Sequence, residues 1–260
     1  MKTTLLVIAH TTDAGAASVA EYLQRTSASI AIQVIRPEVL SLARWSHRVD
    51  SQGHASTVVR LPGWLPLASN DIAAVLNRIQ YLPMPRFQRA SPKDRDYAAA
   101  EMHALVASWL AELGDRVVNV VHRYPWVIPP LSLPQWGAVA AMHGLPVARY
   151  CFDTRNGRHL SKDGHGNHRP HWIAQTPIEP ITGSVLVAGD HVGGTLAHEF
   201  GRPCLAIAQT LGFTLIEFFF TNVSGSWELV DATLFPELET SMKVTLVSTL
   251  LHFLSVGEHE

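Results

Sequence analysis

Residues 212–238 read GFTLIEFFFTNVSGSWELVDATLFPEL, two apolar runs separated by a polar segment, and this pattern predicts a β-hairpin. The strands are expected at 215–220 and 227–230. Gly225 lies in the segment between them, where a tight turn favours glycine. The functional interpretation depends on the acidic residues of this hairpin.

Two carboxylates belong to the hairpin. Glu217 interrupts the first apolar run and Asp231 closes the second, so we expect the two acids on neighbouring strands where little water is present. A carboxylate that is shielded from water requires a partner. The alternative is that Glu217 points to solvent from a half-buried strand, which is the commoner position of a glutamate.

The composition is that of an ordinary globular protein. The 260 residues are 47% hydrophobic and 16% charged, so the chain can bury one large core or two smaller ones. A formal net charge of -2 provides no basic surface, and we expect no nucleic acid as a partner. The N-terminal MKTTLLVIAH predicts a first strand, not a secretion signal. The apolar stretch 244–254 is shorter than the roughly 20 residues that cross a bilayer, so no membrane partner is expected either.

The cysteines indicate neither a disulfide framework nor a cysteine-based zinc site. Cys151 and Cys204 are far apart and belong to no CxxC pattern, so we expect a reducing, cytoplasmic location. Nucleophilic hydrolysis has no support, because the chain contains no GxSxG. The basic residues are four lysines and sixteen arginines, and few lysines are therefore available for a site that requires them.

The first part of the chain predicts a βαβ unit. A strand at 5–9, a helix at 14–25 capped by Asp13 and a strand at 30–35 follow one another, and a further strand is expected at 71–79. Such units build parallel sheets with a ligand crevice at the carboxyl ends of the strands. Neither GxGxxG nor GxxxxGK[ST] occurs, which excludes the common nucleotide-binding fingerprints.

Later segments add helices and strands to this unit. Residues 97–113 predict the clearest helix, with Asp96 as its N-cap and Gly114 at its end. Residues 44–60 are polar and rich in turn formers. Further elements are expected as strands at 117–121 and 146–152 and as a helix at 137–143.

His10 and a basic loop are candidates for ligand contact in this part of the chain. His10 follows the first strand directly, although a histidine there is more commonly a loop residue with a local hydrogen bond. Arginines hold carboxylates and phosphates with paired hydrogen bonds, although a solvated loop is the commoner outcome. The basic residues of the loop are Arg86, Arg89, Lys93 and Arg95.

Five segments upstream of the hairpin follow in a characteristic order. They read DIAAVLNRI, DRDYAAAEMHALVASWLAEL, VVNVVHRY, HGLPVARY and SVLVAGDHVGG. This order, with the hairpin at its end, resembles the RimK-like ATP-grasp ligases. The resemblance implies an α/β protein with a Rossmann-like pre-ATP-grasp domain over 1–130, followed by a truncated ATP-grasp-like α+β domain over 131–260.

The closing hairpin of ATP-grasp enzymes supplies two acids and an asparagine that hold magnesium on the phosphates of ATP. Glu217 falls on the first acidic position, Asp231 on the second, and Thr233 stands where the asparagine is expected. Hard oxygen ligands of this kind suit magnesium. The resemblance therefore implies ATP and magnesium as cofactors, with Glu217 and Asp231 as the metal ligands.

The segment 150–184 departs from the family pattern. It is too short for the usual lid, and its one lysine, Lys162, lies in a loop rich in glycine and histidine, whereas the family places nucleotide-binding lysines on strands. Lys162 and Thr233 are nonetheless nucleotide-binding candidates beside the two acids. The missing lid favours a pseudoenzyme that binds a small molecule, a peptide or a partner protein. The alternative is a divergent ATP-dependent carboxylate-amine ligase that acts on a peptide or an amino acid.

Histidines in the same loop raise a third hypothesis, a transition-metal site. Their spacing matches no standard zinc template and HExxH is absent, so a solvated polar loop is favoured. Further along, Gly193 and Gly194 predict a tight turn in preference to a phosphate cradle. The loop residues concerned are His159, His165, His168 and His171, with Asp163 among them.

Overall fold

The structure, a computed structural model, describes residues 4–27, 30–119, 131–147 and 180–256. These residues form both helices and strands. The strands belong to three sheets. The strands are β1 Thr4–Ile8, β2 Ala31–Ile35, β3 Arg44–Val49, β4 Ala55–Arg60, β5 Leu67–Ala68, β6 Ile72–Asn77, β7 Gly183–Ala188, β8 His191–Gly193, β9 Leu215–Val223 and β10 Ser226–Thr233. The helices are α1 Ala14–Thr26, α2 Pro37–Leu42, α3 Pro92–Leu113, α4 Leu133–Met142, α5 Ala197–Leu211 and α6 Ser241–Val256.

The first sheet is parallel and has the strand order β2-β1-β6. Every residue of β1 is buried, as expected for a central strand covered on both faces. The carboxylate of Asp13 caps α1 by accepting a hydrogen bond from the Ala16 N–H at 2.9 Å. The predicted βαβ unit is confirmed. The strand expected at 117–121 is represented by one parallel bridge between Val117 and Val75, and residues 120–130 lie outside the described residues.

The second sheet is an antiparallel meander, β3-β4-β5, formed by a segment whose sequence showed mainly polar and turn-forming residues. A hydrogen-bond network attaches it to α3. The Thr57 hydroxyl and N–H both donate to the Glu112 carboxylate. Because the hydroxyl proton is used there, the Thr57 oxygen accepts from the Nδ1–H of His47 at 2.7 Å. The Ser108 hydroxyl contacts the other ring nitrogen of His47 at 3.0 Å. Polar side chains of this segment therefore attach the second sheet to α3, and do not all face solvent.

Helix α3 begins earlier than predicted. Its first residue is Pro92, and Ser91 is the N-cap, whose hydroxyl accepts a hydrogen bond from the Asp94 N–H at 3.2 Å. Asp96 is consequently an ordinary helical residue, and its assignment as the cap is wrong. The reason is that proline is favoured at the first helical position, where its missing N–H would have no partner in any case. The end at Gly114 is confirmed by its φ of 58°.

The third sheet is antiparallel and has the order β10-β9-β7-β8. The predicted hairpin forms its β9 and β10 strands. Ser224 and Gly225 make the turn with φ values of 52° and 89°, which is typical of the two-residue turns that match the twist of a hairpin. Helices α4 and α5 pack against this sheet on its β10 and β7 strands, and α6 packs beside α1 and contacts β6, β7 and β8.

Gly194 occupies a tight turn after β8, as the sequence predicted. Its φ is 113°, and a β-carbon added there would lie 2.4 Å from the backbone oxygen of Ser184. A side chain is excluded at this position because both the backbone conformation and the neighbouring strand oppose it.

One apolar core contains residues from both ends of the chain, because α6 packs between the parallel sheet and the antiparallel one. Leu5 and Val7 of β1 share it with Leu215 of β9 and Val247 of α6. The domain boundary predicted between 130 and 131 stays a prediction, since residue 130 lies outside the described ranges. Within these ranges, no helix has the length and apolar character that crossing a membrane requires.

Candidate functional site

A β-bulge in β10 brings the three predicted positions onto one face of the third sheet. Thr233 lies opposite Glu217 and Asp231 lies opposite Phe219, whereas Val230 has no opposite residue. Opposed residues and residues two apart on a strand share a face. Without the extra residue, Asp231 would lie on the other face, so the bulge is what aligns it with Glu217.

The Glu217 carboxylate is paired with a lysine. Its side chain is 1% exposed, and Nζ of Lys243 lies 2.7 Å from Oε1 and 2.8 Å from Oε2. The ammonium group therefore contacts both carboxylate oxygens and compensates the buried negative charge. The expected partner exists, and the alternative that Glu217 points to solvent is wrong, because other elements cover this face of the sheet.

Lys243 is a site residue that the sequence interpretation missed. It lies in the first turn of α6, one residue before the apolar stretch 244–254. A signal was available, because Lys243 is the one lysine that follows Lys162 in the chain. A carboxylate inside an apolar strand requires a partner of opposite charge. The chain has only four lysines that could provide it.

The other two predicted positions are engaged locally. Asp231 accepts a hydrogen bond from the N–H of Ala232 at 2.8 Å through Oδ1. Although the residue as a whole is exposed, burial around its carboxyl group raises the pKa of Asp231 above the usual value. The Thr233 hydroxyl accepts from the Phe235 N–H at 3.1 Å, which fixes the chain direction after β10.

A magnesium ion at Glu217 would compete with Lys243 for the carboxylate oxygens. Magnesium requires oxygen ligands whose negative charge is available to it, and the charge of Glu217 is already compensated by the ammonium of Lys243. A divalent cation bound to the same oxygens would lie beside that ammonium and be repelled by it. Nor do the described residues contain a cluster of three or more histidine, cysteine or acidic side chains that could hold a metal ion.

Several sequence candidates lie outside the described residues. They are Lys162, the four histidines of the glycine-rich loop with Asp163, and Cys151, and for these the sequence predictions stand as made. Cys204, in contrast, is described. It is a free thiol with no exposed surface, and burial raises its pKa to about 12, so it is protonated and unreactive near neutral pH.

Asn119 attaches the hairpin to the parallel sheet. Its Oδ1 accepts from the N–H groups of Thr214 and Leu215 at 3.1 Å and 2.9 Å. Its Nδ2 donates to the carbonyl oxygen of Leu215 at 2.8 Å and to that of Leu234 at 3.4 Å. The φ of Asn119 is 59°, a conformation that asparagine adopts more readily than most residues. The Asn119 side chain thus fixes both the start of β9 and the segment that follows β10.

Arg78 makes a second connection between the same parts of the molecule. It is 9% exposed, and its Nε donates to Asp13 Oδ2 at 2.8 Å while its NH1 donates to the Pro236 carbonyl oxygen at 2.8 Å. Asp13 therefore caps α1 and neutralises Arg78 at the same time. The loop that follows the hairpin is held at the carboxyl end of the parallel sheet.

Solved structures with a similar fold are ATP-grasp ligases. A RiPP-associated ATP-grasp ligase from Chryseobacterium gregarium, in complex with ADP and a leader and core peptide, has a TM-score of 0.71 at 14% identity, covering 96% of each chain. The macrocyclase MdnC from Microcystis aeruginosa MRC, bound with precursor peptide MdnA, has a TM-score of 0.69 at 9% identity, covering 96% of this chain and 100% of that one. A RimK domain ATP-grasp protein from Sphaerobacter thermophilus has a TM-score of 0.56 at 14% identity, covering 98% of this chain and 100% of that one.

No protein-family model matches the sequence, and no curated protein matches it. The likeness therefore concerns the fold, and the chain has the fold of the ATP-grasp ligases. The α/β architecture implied by the order of sequence segments is confirmed.

Proposed function

We propose that this ATP-grasp fold belongs to a pseudoenzyme, which binds a peptide or a partner protein and does not transfer phosphate from ATP. The observation that supports this proposal most is the contact of Lys243 with both oxygens of Glu217. An active ligase of this fold requires that carboxylate for magnesium. Here an internal cation of the protein compensates the charge that would attract the metal.

The small number of lysines available to bind phosphate supports the same proposal. Phosphoryl transfer requires positive charge on the triphosphate, and ATP-grasp ligases provide part of it with lysines. Within the described ranges the lysines are Lys93, which is exposed in the first turn of α3, and Lys243, which is held by Glu217. Lys162 is the remaining nucleotide-binding candidate, in a segment that is short for a lid.

A peptide is the ligand class favoured by the structural comparisons. The Chryseobacterium ligase was solved with a leader and core peptide and MdnC with the precursor MdnA. We infer that the present chain has kept a surface for peptide recognition while its metal position is closed. A partner protein that presents an extended segment would be recognised by the same chemistry.

ADP release tests the proposal. The wild-type protein, incubated with magnesium and ATP, is expected to release ADP at the background rate, and Glu217→Gln is expected to show the same rate because no catalytic metal is lost. An enzyme-coupled assay that detects ADP measures this rate. Release by the wild type that falls at least 100-fold in the Glu217→Gln variant would refute the pseudoenzyme.

The second candidate function is an ATP-dependent carboxylate-amine ligase. The bulge in β10 supports it, because the extra residue places Asp231 on the same face of the sheet as Glu217. In that case Lys243 must leave Glu217 when nucleotide binds. The ADP measurement separates the two functions, since only the ligase requires a free Glu217 carboxylate.

A further inference from the structure

The second sheet has one face that packs on α3 and one that points away from it. Trp45 packs edge-on against Trp109 of α3. His47 contacts Ser108 of the same helix. Side chains alternate along a strand, so the residues of β3 between these two face the opposite way. Together with their partners in β4 they form the outer face of the sheet, which consists of Arg44, Ser46, Arg48, Ser56, Val58 and Arg60.

Two of the three arginines on the outer face lie directly opposite each other. Arg44 of β3 pairs with Arg60 of β4, and Cβ atoms in such positions are about 4.5–5.5 Å apart. Arg48 lies four residues further along β3, and a rise of about 3.3 Å for each residue places it roughly 13 Å from Arg44. Like charges in opposite positions destabilise a sheet, and an anion between them would remove this repulsion.

These arginines have no acidic partner in the part of the chain that the structure describes. All three are exposed, and none takes part in an ion pair or a side-chain hydrogen bond there. By contrast, Arg78 and Arg116 donate to protein oxygens. The nearest acid along the strand is Asp50, whose carboxylate accepts from N–H groups of the turn that follows. A net charge of -2 for the whole chain therefore does not exclude a local basic surface.

An extended peptide with acidic side chains fits this arrangement of charges. Guanidinium groups bind carboxylates with paired hydrogen bonds. Carboxylates four residues apart in an extended chain are separated by the same distance as Arg44 and Arg48, because both chains have the rise of a strand. Single-stranded nucleic acid is not favoured, since its bases stack on aromatic side chains and the outer face has none.

We propose that the outer face of the second sheet binds an extended acidic segment of the peptide ligand, with carboxylates at positions four residues apart. One carboxylate lies between Arg44 and Arg60, and the other binds Arg48. This assignment deepens the proposed peptide-binding function and rests on it, although it involves neither Glu217 nor ATP.

Titration with a rhodamine-labelled peptide of sequence SESGSES, followed by fluorescence anisotropy at low salt, tests the assignment. We expect saturable binding by the wild type, at least fivefold weaker in Arg44→Gln and in Arg48→Gln, and at least fivefold weaker for the peptide SQSGSQS. The matched control Arg25→Gln removes an exposed arginine from α1 and is expected to change the affinity less than twofold. Circular dichroism should show all three variants folded, since exposed arginines without partners contribute little to stability.

Three results would overturn the acidic-peptide site: no saturable binding by the wild type, equal affinity for the two peptides, or equal losses in Arg25→Gln and Arg44→Gln. Vesicles of phosphatidylserine are a further probe, because the loop after β4 exposes Trp64 and Leu65 beside this face. Binding of these vesicles, or of a single-stranded oligothymidylate, that is fivefold tighter than peptide binding and is lost in Arg44→Gln would also overturn the site.

Each of these outcomes leaves the pseudoenzyme proposal in place. Conversely, ATP turnover would refute the pseudoenzyme without affecting binding of the acidic peptide.

Discussion

Replacing Lys243 with methionine is expected to lower the free energy of unfolding by about 3 kcal/mol, because it leaves the Glu217 carboxylate buried without a counter-charge. This loss lies at the lower end for buried ion pairs, because 15% of the lysine side chain is exposed to solvent. Denaturation in urea, followed by circular dichroism, measures the change. Lys93→Met, at an exposed lysine, is the matched control and is expected to change stability by less than about 0.5 kcal/mol.

A double variant separates the loss of the pair from the loss of packing. Glu217→Met combined with Lys243→Met removes both charges, and its stability is expected to lie within about 1 kcal/mol of the wild type, because a buried ion pair can be replaced by apolar residues of similar volume. A Lys243→Met protein as stable as Lys93→Met would contradict the account. It would mean that the carboxylate is solvated in solution and that the lysine does not hold it.

Replacing Asn119 with alanine is expected to lower the free energy of unfolding by about 3–4 kcal/mol. Four side-chain hydrogen bonds to the two ends of the hairpin are lost, and alanine is strained at a φ of 59°. Urea denaturation measures the loss. Amide hydrogen exchange should show faster exchange at Thr214 and Leu215, whose N–H groups lose their acceptor.

Asn222 provides the matched control for Asn119. It is an asparagine of the same hairpin, and its side chain accepts one exposed hydrogen bond from the Gly225 N–H at 2.9 Å. Asn222→Ala is expected to cost less than about 1 kcal/mol. Equal effects at the two positions would show that the hairpin is held by its apolar contacts and not by Asn119.

The predicted elements that the structure confirms depend on local patterns. The hairpin follows from two apolar runs around Gly225, and the βαβ unit follows from alternating strand and helix segments with Asp13 at a cap. Residues 44–60 were not predicted as strands because their side chains are polar. Their inward-facing polar groups are satisfied by α3, a helix distant in sequence, and periodicity does not show such a partner.

Only part of the candidate site could be predicted, because local patterns show the hairpin positions but not the residues that reach them from distant segments. The positions of Glu217, Asp231 and Thr233 could be inferred because they lie on one hairpin and match a family pattern. The bulge that aligns Asp231 is a backbone feature with no side-chain signature at Val230. Lys243 reaches Glu217 only after α6 packs against the sheet, and Asn119 acts across even longer separations in the chain.

A calorimetric titration of magnesium and ATP into the wild-type protein measures whether Lys243 excludes the metal from Glu217, as we propose. We expect no saturable heat up to millimolar nucleotide, in a protein shown to be folded by circular dichroism. Saturable binding by the wild type that is lost in Glu217→Gln would contradict this proposal, because that carboxylate would then be available to magnesium.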